Sequence, residues 1–187
     1  MIEALYYSKI NKDFPNTNKM KYLVQYHNFE RNQGGYPGYG AIDAEKLSKS
    51  KHSISSRKKA ILFDSVGDTI FLIVGIRFKK NEKKKYFLWS KTIIDDFNID
   101  EDEEGFYNAW GSQYFLCPPK ILNDIEGFPE FIRRTSNFSL GLMNITIWEF
   151  LDQLKQLFEL HECKNRDQIT RKQYIEAFKK EVSNKFI

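Results

Sequence analysis

The chain has 187 residues with a formal net charge of +4, and 41% of its residues are hydrophobic. This composition is typical of one folded domain with a substantial core and excludes a wholly disordered chain. No apolar run approaches the roughly 20 residues that span a bilayer, and the first residues lack the pattern of a secretion signal. We therefore expect a cytosolic protein without membrane contact, whose two cysteines, Cys117 and Cys163, are reduced.

The charges are divided unevenly along the chain. Residues 1–91 hold 18 Lys and Arg against 8 Asp and Glu, whereas residues 92–187 hold 11 against 17. Such asymmetry between two parts of a chain indicates a basic region that binds an acidic partner, for which nucleic acid is the leading class.

The first predicted strand covers residues 21–26, which are rich in aromatic and β-branched side chains. Four glycines and a proline between residues 28 and 40 then predict an irregular loop whose backbone can approach a ligand closely. Residues 48–59 follow as a basic segment with few apolar side chains.

The best-defined element is a hairpin that begins after a turn at Gly67 and Asp68. Residues 69–78 are apolar on both faces and predict a central, buried strand. Residues 79–85 contain five lysines and predict the turn, and residues 86–94 return as the partner strand. The hairpin would therefore project a lysine-rich tip from the sheet.

The part of the chain after the hairpin changes from strands to helices. Residues 106–116 predict a strand pair that bends at Gly111 and ends at the two prolines 118 and 119. A short helix is predicted over residues 128–134. Two capping boxes predict the starts of two later helices. These boxes are Thr146 with Glu149 and Thr170 with Gln173. The predicted inner face of the first helix consists of Ile147, Phe150, Leu151, Leu154, Leu157, Phe158 and His161. That of the second helix consists of Tyr174, Phe178 and Val182.

The predicted fold class is α+β. We expect an antiparallel β pseudobarrel with short flanking helices over residues 1–145. Residues 146–187 are expected to form a C-terminal helical segment that packs on this core or extends from it.

No catalytic signature is present in the sequence. It has no phosphate-binding loop, dinucleotide glycine fingerprint or nucleophile elbow, and its three histidines are isolated, so we expect no catalysis by this chain alone, no cofactor and no metal. One alternative stays open. The order of Asp68, Glu82 and Lys84 matches that of metal-dependent nucleases, in which two acids hold Mg²⁺ and a lysine steadies the attacking water.

The leading hypothesis is double-stranded DNA binding by three basic or polar stretches. Lysines would neutralise phosphates, while arginine and amide side chains would read base edges and tyrosines would pack on sugars or bases. The predicted DNA-binding residues are Asn28, Arg31, Asn32, Gln33, Tyr36, Tyr39, Lys49, Lys51, His52, Arg57, Lys58, Lys59, Lys79, Lys80, Lys83, Lys84 and Lys85.

Two further binding hypotheses stay open. Aromatic side chains can line a pocket that holds a flipped base. The candidates for such a pocket are Trp89, Trp110, Tyr107 and Tyr114. Alternatively, the acidic residues between 95 and 104 meet a basic partner in a protein-interaction domain, and the lysines only keep the chain soluble.

Two families share features with this layout. The turn at Gly67 and Asp68, followed by a buried strand and a hairpin into Tyr86-Phe87-Leu88-Trp89, is similar to PUA-like and EVE-type modified-base readers. The wider order of a strand, a polar loop, a basic segment and closing helices resembles the B-three DNA-binding pseudobarrel. That fold occurs in plant transcription factors and in the N-terminal domains of McrB-like restriction GTPases.

The B-three resemblance implies a specific function. Residues 28–40 would be one arm that enters the major groove, and residues 79–85 or 49–59 would be the other. The chain would be the recognition domain of a bacterial restriction system, binding double-stranded DNA with a sequence or modification preference. It would work beside a motor or nuclease domain or subunit of the same system.

Overall fold

The computed structural model describes residues 20–28, 52–57, 59–77, 82–98, 100–103, 105–136, 142–165, 168–170, 172–174, 176–178 and 180. Within these ranges the chain forms seven strands and a few short helices. In chain order they are β1 (Tyr22–Asn28), β2 (His52–Ser56), α1 (Lys59–Leu62), β3 (Thr69–Ile76), β4 (Lys85–Phe97), β5 (Tyr107–Ile121), α2 (Phe128–Arg134), β6 (Met143–Asn144), α3 (Phe150–Leu160) and β7 (Cys163–Asn165). The described residues between 172 and 180 are helical.

The strands form one curled, mixed sheet that makes a half-barrel. Its strand order is β2-β5-β4-β3-β1-β6, and β7 pairs with the second half of β5. The pair β1 and β3 is parallel, whereas the other described pairs are antiparallel. The α+β class is confirmed, but the sheet is mixed where the sequence predicted antiparallel strands. The long connection between β1 and β3 allows the crossover that a parallel pair needs.

The predicted hairpin is confirmed as β3 and β4. Its register pairs Thr69 with Ile93 and Ile76 with Lys85. Every residue of β3 is buried, because apolar clusters cover both faces of the sheet at this strand. The first predicted strand is confirmed as β1, and the short helix over residues 128–134 as α2.

The sequence prediction for β5 is wrong. Tyr107–Ile121 is a single strand that passes through both Gly111 and the two prolines. A Cβ atom at Gly111 would overlap the carbonyl oxygen of Ile93, so glycine permits a close approach of β4 at a bulge rather than a turn. The prolines lie where the pairing of β4 with β5 shifts, in a stretch that needs no ladder hydrogen bond from them.

Helices cover both faces of the curled sheet. On one face α3 packs on β3, with the rings of Phe158 and Phe71 5.9 Å apart. On the other face Tyr174 and Phe178 pack on Trp89, at 5.3 and 5.1 Å between ring centroids. The described residues of the C-terminal helical segment therefore pack on the sheet.

The two predicted capping boxes have different outcomes. Thr170 and Gln173 form the predicted box, since each side chain accepts the other's backbone N–H at 3.3 and 3.0 Å. The other box is wrong, because the Thr146 hydroxyl instead accepts the N–H of Tyr22 at 2.9 Å and α3 begins only at Phe150.

The predicted inner faces of the two helices are largely confirmed. Phe150, Leu151, Leu154 and Phe158 are buried, and so are Tyr174 and Phe178. Ile147 is an exception at 91% exposure, because it precedes the helix. His161 is another, because it follows the helix and is half-exposed, and Leu157 is only partly buried. Val182 lies outside the described residues.

The two cysteines are free thiols that β5 and β7 bring close together. Cys163 pairs with Leu116, the residue next to Cys117. Cys117 packs with the cluster around Phe115 and Cys163 with the cluster around Leu116, so the two thiols point to opposite faces of the sheet. Burial raises the pKa of Cys117 to about 11, which makes it a poor nucleophile.

Among the described residues no helix has the length and apolar character that crossing a membrane requires.

Candidate nucleic-acid interface

Three strands meet at one end of the sheet with an excess of positive charge. Asn28 at the end of β1 pairs with Gly75, which pairs with Tyr86 of β4. The hairpin residues before β4 lie at the same end. We call this surface the cationic end. Its described members are Asn28, Arg77, Glu82, Lys83, Lys84 and Lys85, so four positive charges stand against one negative charge.

Side chains from outside the hairpin hold the backbone at the cationic end. The side chain of Asn123 accepts the N–H of Tyr86 at 2.7 Å and donates to the carbonyl of Lys84 at 3.2 Å. Lys84 Nζ donates to the hydroxyl of Tyr26 at 3.3 Å. The start of β4 is therefore fixed to both β1 and the segment after β5, and it presents the exposed Lys83 and the half-buried Lys85 from an ordered base.

Aromatic packing supports the same corner of the sheet. The ring of Tyr86 lies 6.1 Å from that of Tyr26 and 5.5 Å from that of Phe128 in α2. Burial raises the pKa of Tyr86, so its hydroxyl stays neutral and adds no negative charge beside the lysines.

The opposite end of β4 is acidic. This strand of 13 residues begins at Lys85 and carries Asp95 and Asp96 next to its last residue. We call these two residues and residues 100–103, all of which are acidic, the acidic end. A strand of this length spans about 40 Å, so charges of opposite sign are well separated along the sheet. A polyanion would be attracted to the cationic end and repelled from the other.

The second basic stretch does not join the hairpin tip. His52 at the start of β2 pairs with Gly111, and Ser56 at its end pairs with Tyr107. Arg57 follows, with its guanidinium 5.0 Å from the centroid of the Phe106 ring, beside the acidic end. The expectation that residues 49–59 and the hairpin tip share one positive face is therefore wrong for Arg57, because β2 pairs with the beginning of β5.

The remaining predicted DNA-binding residues fall outside the described part of the chain. For His52 and Lys59 the structure describes the backbone alone. The residues outside are Arg31, Asn32, Gln33, Tyr36, Tyr39, Lys49, Lys51, Lys58, Lys79 and Lys80.

The nuclease arrangement does not form among the described residues. Asp68 precedes β3, whereas Glu82 and Lys84 lie beyond its other end, about 25 Å away for a strand of this length. The carboxylate of Asp68 accepts the backbone N–H of Lys21 at 2.7 Å and lies 3.8 Å from Lys21 Nζ, so it links the starts of β1 and β3. In the described ranges no three His, Cys, Asp or Glu side chains are grouped as metal ligands.

The four aromatic residues of the predicted base pocket are not brought together. Trp89 is fully buried against Tyr174 and Phe178. Tyr107 and Trp110 are half-buried near the acidic end, and the Tyr114 ring lies 5.9 Å from Lys91 Nζ. Trp89 therefore belongs to the core rather than to a base pocket.

Sequence reasoning missed several residues that build the cationic end. Arg77 was placed inside a buried strand, although it follows β3 and is exposed. Asn123 and Tyr26 reach the hairpin only through tertiary contacts, and nothing in their local sequence signals this.

In comparisons with known proteins, no family model, curated protein or solved structure matches this chain.

Proposed function

We propose that this protein binds double-stranded DNA through its cationic end. The observation that supports this is the common position of Asn28 and the described hairpin lysines, because the last residue of β1 lies at the same end of the sheet as Lys83, Lys84 and Lys85. The polar arm and the basic tip would thus start from neighbouring strands. Lysines at the tip would neutralise phosphates, and Arg31, Asn32 and Gln33 on the arm would read base edges.

The separation of charge along β4 supports an end-on approach to DNA. One end of the hairpin carries four positive charges, from Arg77, Lys83, Lys84 and Lys85, and one negative charge, from Glu82. The other end of β4 is followed by acidic residues. Attraction at one end and repulsion at the other would orient the protein before contact. The half-barrel is compatible with a B-three-like pseudobarrel, which stays part of this proposal, as does the role of recognition domain in a restriction system.

The test compares two double variants with the same change of charge. Lys83→Glu with Lys85→Glu alters the cationic end, and Lys172→Glu with Lys180→Glu alters two exposed lysines of the C-terminal helical segment. Fluorescence anisotropy with a short DNA duplex would be measured over a series of salt concentrations. We expect the hairpin variant to bind at least about tenfold more weakly, with a salt slope shallower by about 2, since each phosphate contact contributes about 0.9.

The control variant should keep both the affinity and the salt slope of the unmodified protein. Equal losses in the two variants would mean that total charge alone governs binding. Unchanged binding by the hairpin variant would remove the cationic end from the interface. Circular dichroism would establish that each variant is folded.

A further inference from the structure

A surface pocket of about 290 Å³ lies between the start of α2 and the turn that precedes α3. Three aromatic residues form its apolar wall. Phe131 and Phe150 are nearly buried, with ring centroids 4.7 Å apart. Trp148 is half-buried and stands edge-on to Phe131 at 5.6 Å. The volume is sufficient for one long side chain or a small ligand.

The rim of this pocket is negatively charged. Its carboxylates are Glu126, Glu130 and Glu149, against the single cation Arg134. Glu130 is already paired, since it accepts hydrogen bonds from Arg133 at 2.7 and 2.8 Å and from Arg134 at 3.1 Å. Glu126 and Glu149 have no salt bridge or hydrogen-bonded side-chain partner among the described residues. The charge that is left at the mouth of the pocket is therefore negative.

We propose that this pocket binds an arginine side chain of a partner protein. A guanidinium can stack on the accessible part of the Trp148 ring while it donates to two carboxylates, a combination that an ammonium group matches less well. Arg134 is held by Glu130, so no lining cation is left for the carboxylate of a free amino acid. The negative rim disfavours phosphate, so the ligand proposed here differs in charge from DNA, and its test uses no nucleic acid.

The experiment follows the indole N–H signal of Trp148 in the ¹⁵N-labelled full chain, assigned by its loss in Trp148→Phe. The probe is the peptide acetyl-Gly-Arg-Gly-amide. The comparison probes are the same peptide with lysine or norleucine in place of arginine, and free arginine. We expect a saturable shift with the arginine peptide that is at least about threefold tighter than with lysine, and no saturable shift with norleucine.

Paired carboxylate variants locate the site. Glu126→Gln with Glu149→Gln should weaken arginine-peptide binding by about fivefold or more, because both charged acceptors at the mouth are lost. Glu159→Gln with Glu176→Gln makes the same charge change at exposed positions outside the pocket lining and should leave binding unaltered. The proposal is overturned by the absence of a saturable shift, by equal binding of the lysine or norleucine peptide, by tighter binding of free arginine, or by equal effects of the two double variants.

Discussion

The ring of Tyr26 lies over the backbone of Gly75 on the neighbouring strand. A Cβ atom at position 75 would overlap the hydroxyl and ring of Tyr26 and the side chain of Lys84. Because glycine leaves this space open, an aromatic side chain of β1 crosses β3 and accepts a hydrogen bond from Lys84. One glycine therefore allows three strands to be joined at the cationic end.

The first prediction concerns this close approach. Gly75→Ala should lower the free energy of unfolding by about 1–3 kcal/mol, because the added methyl group must displace a packed ring or distort the strand. Urea denaturation would measure the loss. Ser55→Ala on β2 removes only an exposed hydrogen bond to Asn108 and serves as a comparison with a smaller expected loss. In a Tyr26→Ala background the same glycine substitution should cost clearly less, since the overlapping ring is gone. Equal costs in both backgrounds would contradict the contact.

The hairpin could be predicted from sequence because its two strands are neighbours along the chain. The apolar residues 69–76 and the lysine-rich turn are local signals, and β3 and β4 form where they indicate. The contact between Tyr26 and Gly75 could not be predicted in this way, since it depends on a parallel pairing between distant segments. The two prolines of β5 misled the prediction, because a shift in pairing accommodates them inside the strand.

The candidate site was also predictable only in part, because it depends on pairing between strands that are distant along the chain. The position of Lys83, Lys84 and Lys85 between β3 and the start of β4 follows from the local pattern of residues 79–85. The position of Arg57 does not, because it depends on which strand β2 pairs with, and pairing with the start of β5 takes it to the acidic end. Long-range pairing thus decides which basic stretches become neighbours.

The second prediction concerns Asp68, which is buried before β3. Asp68→Ala should destabilise the fold by about 1–3 kcal/mol, because the N–H of Lys21 loses its acceptor. Asp68→Asn keeps an acceptor oxygen and should cost less. Burial raises the pKa of this carboxyl, and the backbone N–H and ammonium of Lys21 oppose the rise.

The same variants test the nuclease alternative. We expect the unmodified protein and Asp68→Ala to leave plasmid DNA equally intact in the presence of Mg²⁺, because Asp68 and Glu82 stand at opposite ends of β3. Cleavage by the unmodified protein that disappears in Asp68→Ala, while Asp68→Asn and Asp68→Ala both remain folded, would favour a catalytic role.

The third prediction concerns the pH dependence of stability. Burial lowers the pKa of His27 below its ordinary value of 6.5, and its Nδ1 has no hydrogen-bond partner among the described residues. Well above pH 6.5 the imidazole is neutral in both the folded and unfolded states. Below it the unfolded chain binds a proton that the folded protein does not, so stability falls as the pH decreases toward the folded pKa.

The variant His27→Leu should remove this part of the decline. Urea denaturation at several values from about pH 7.5 to about pH 5 would measure it, as the slope of the unfolding free energy against pH. The matched change His161→Leu alters a half-exposed histidine after α3 and should keep the decline attributed to His27. A His27→Leu protein with the full acid sensitivity of the unmodified chain would show that His27 is not its origin.

The fourth prediction compares the two ends of β4 through two single substitutions, each of which removes one positive charge. Lys83→Gln removes one positive charge from the cationic end, and Arg57→Gln removes one beside the acidic end. If DNA contacts the cationic end, Lys83→Gln should reduce the salt slope of binding by about 1 and weaken binding to all sequences alike.

Arg57→Gln should leave both the salt slope and the affinity for DNA unaltered, because its position is separated from the hairpin tip by the length of β4. It should lower the free energy of unfolding by no more than about 1 kcal/mol, through loss of the contact with the Phe106 ring. Anisotropy titrations and urea denaturation measure the two effects separately. A larger loss of DNA affinity in Arg57→Gln than in Lys83→Gln would place the interface at the β2 side of the sheet instead.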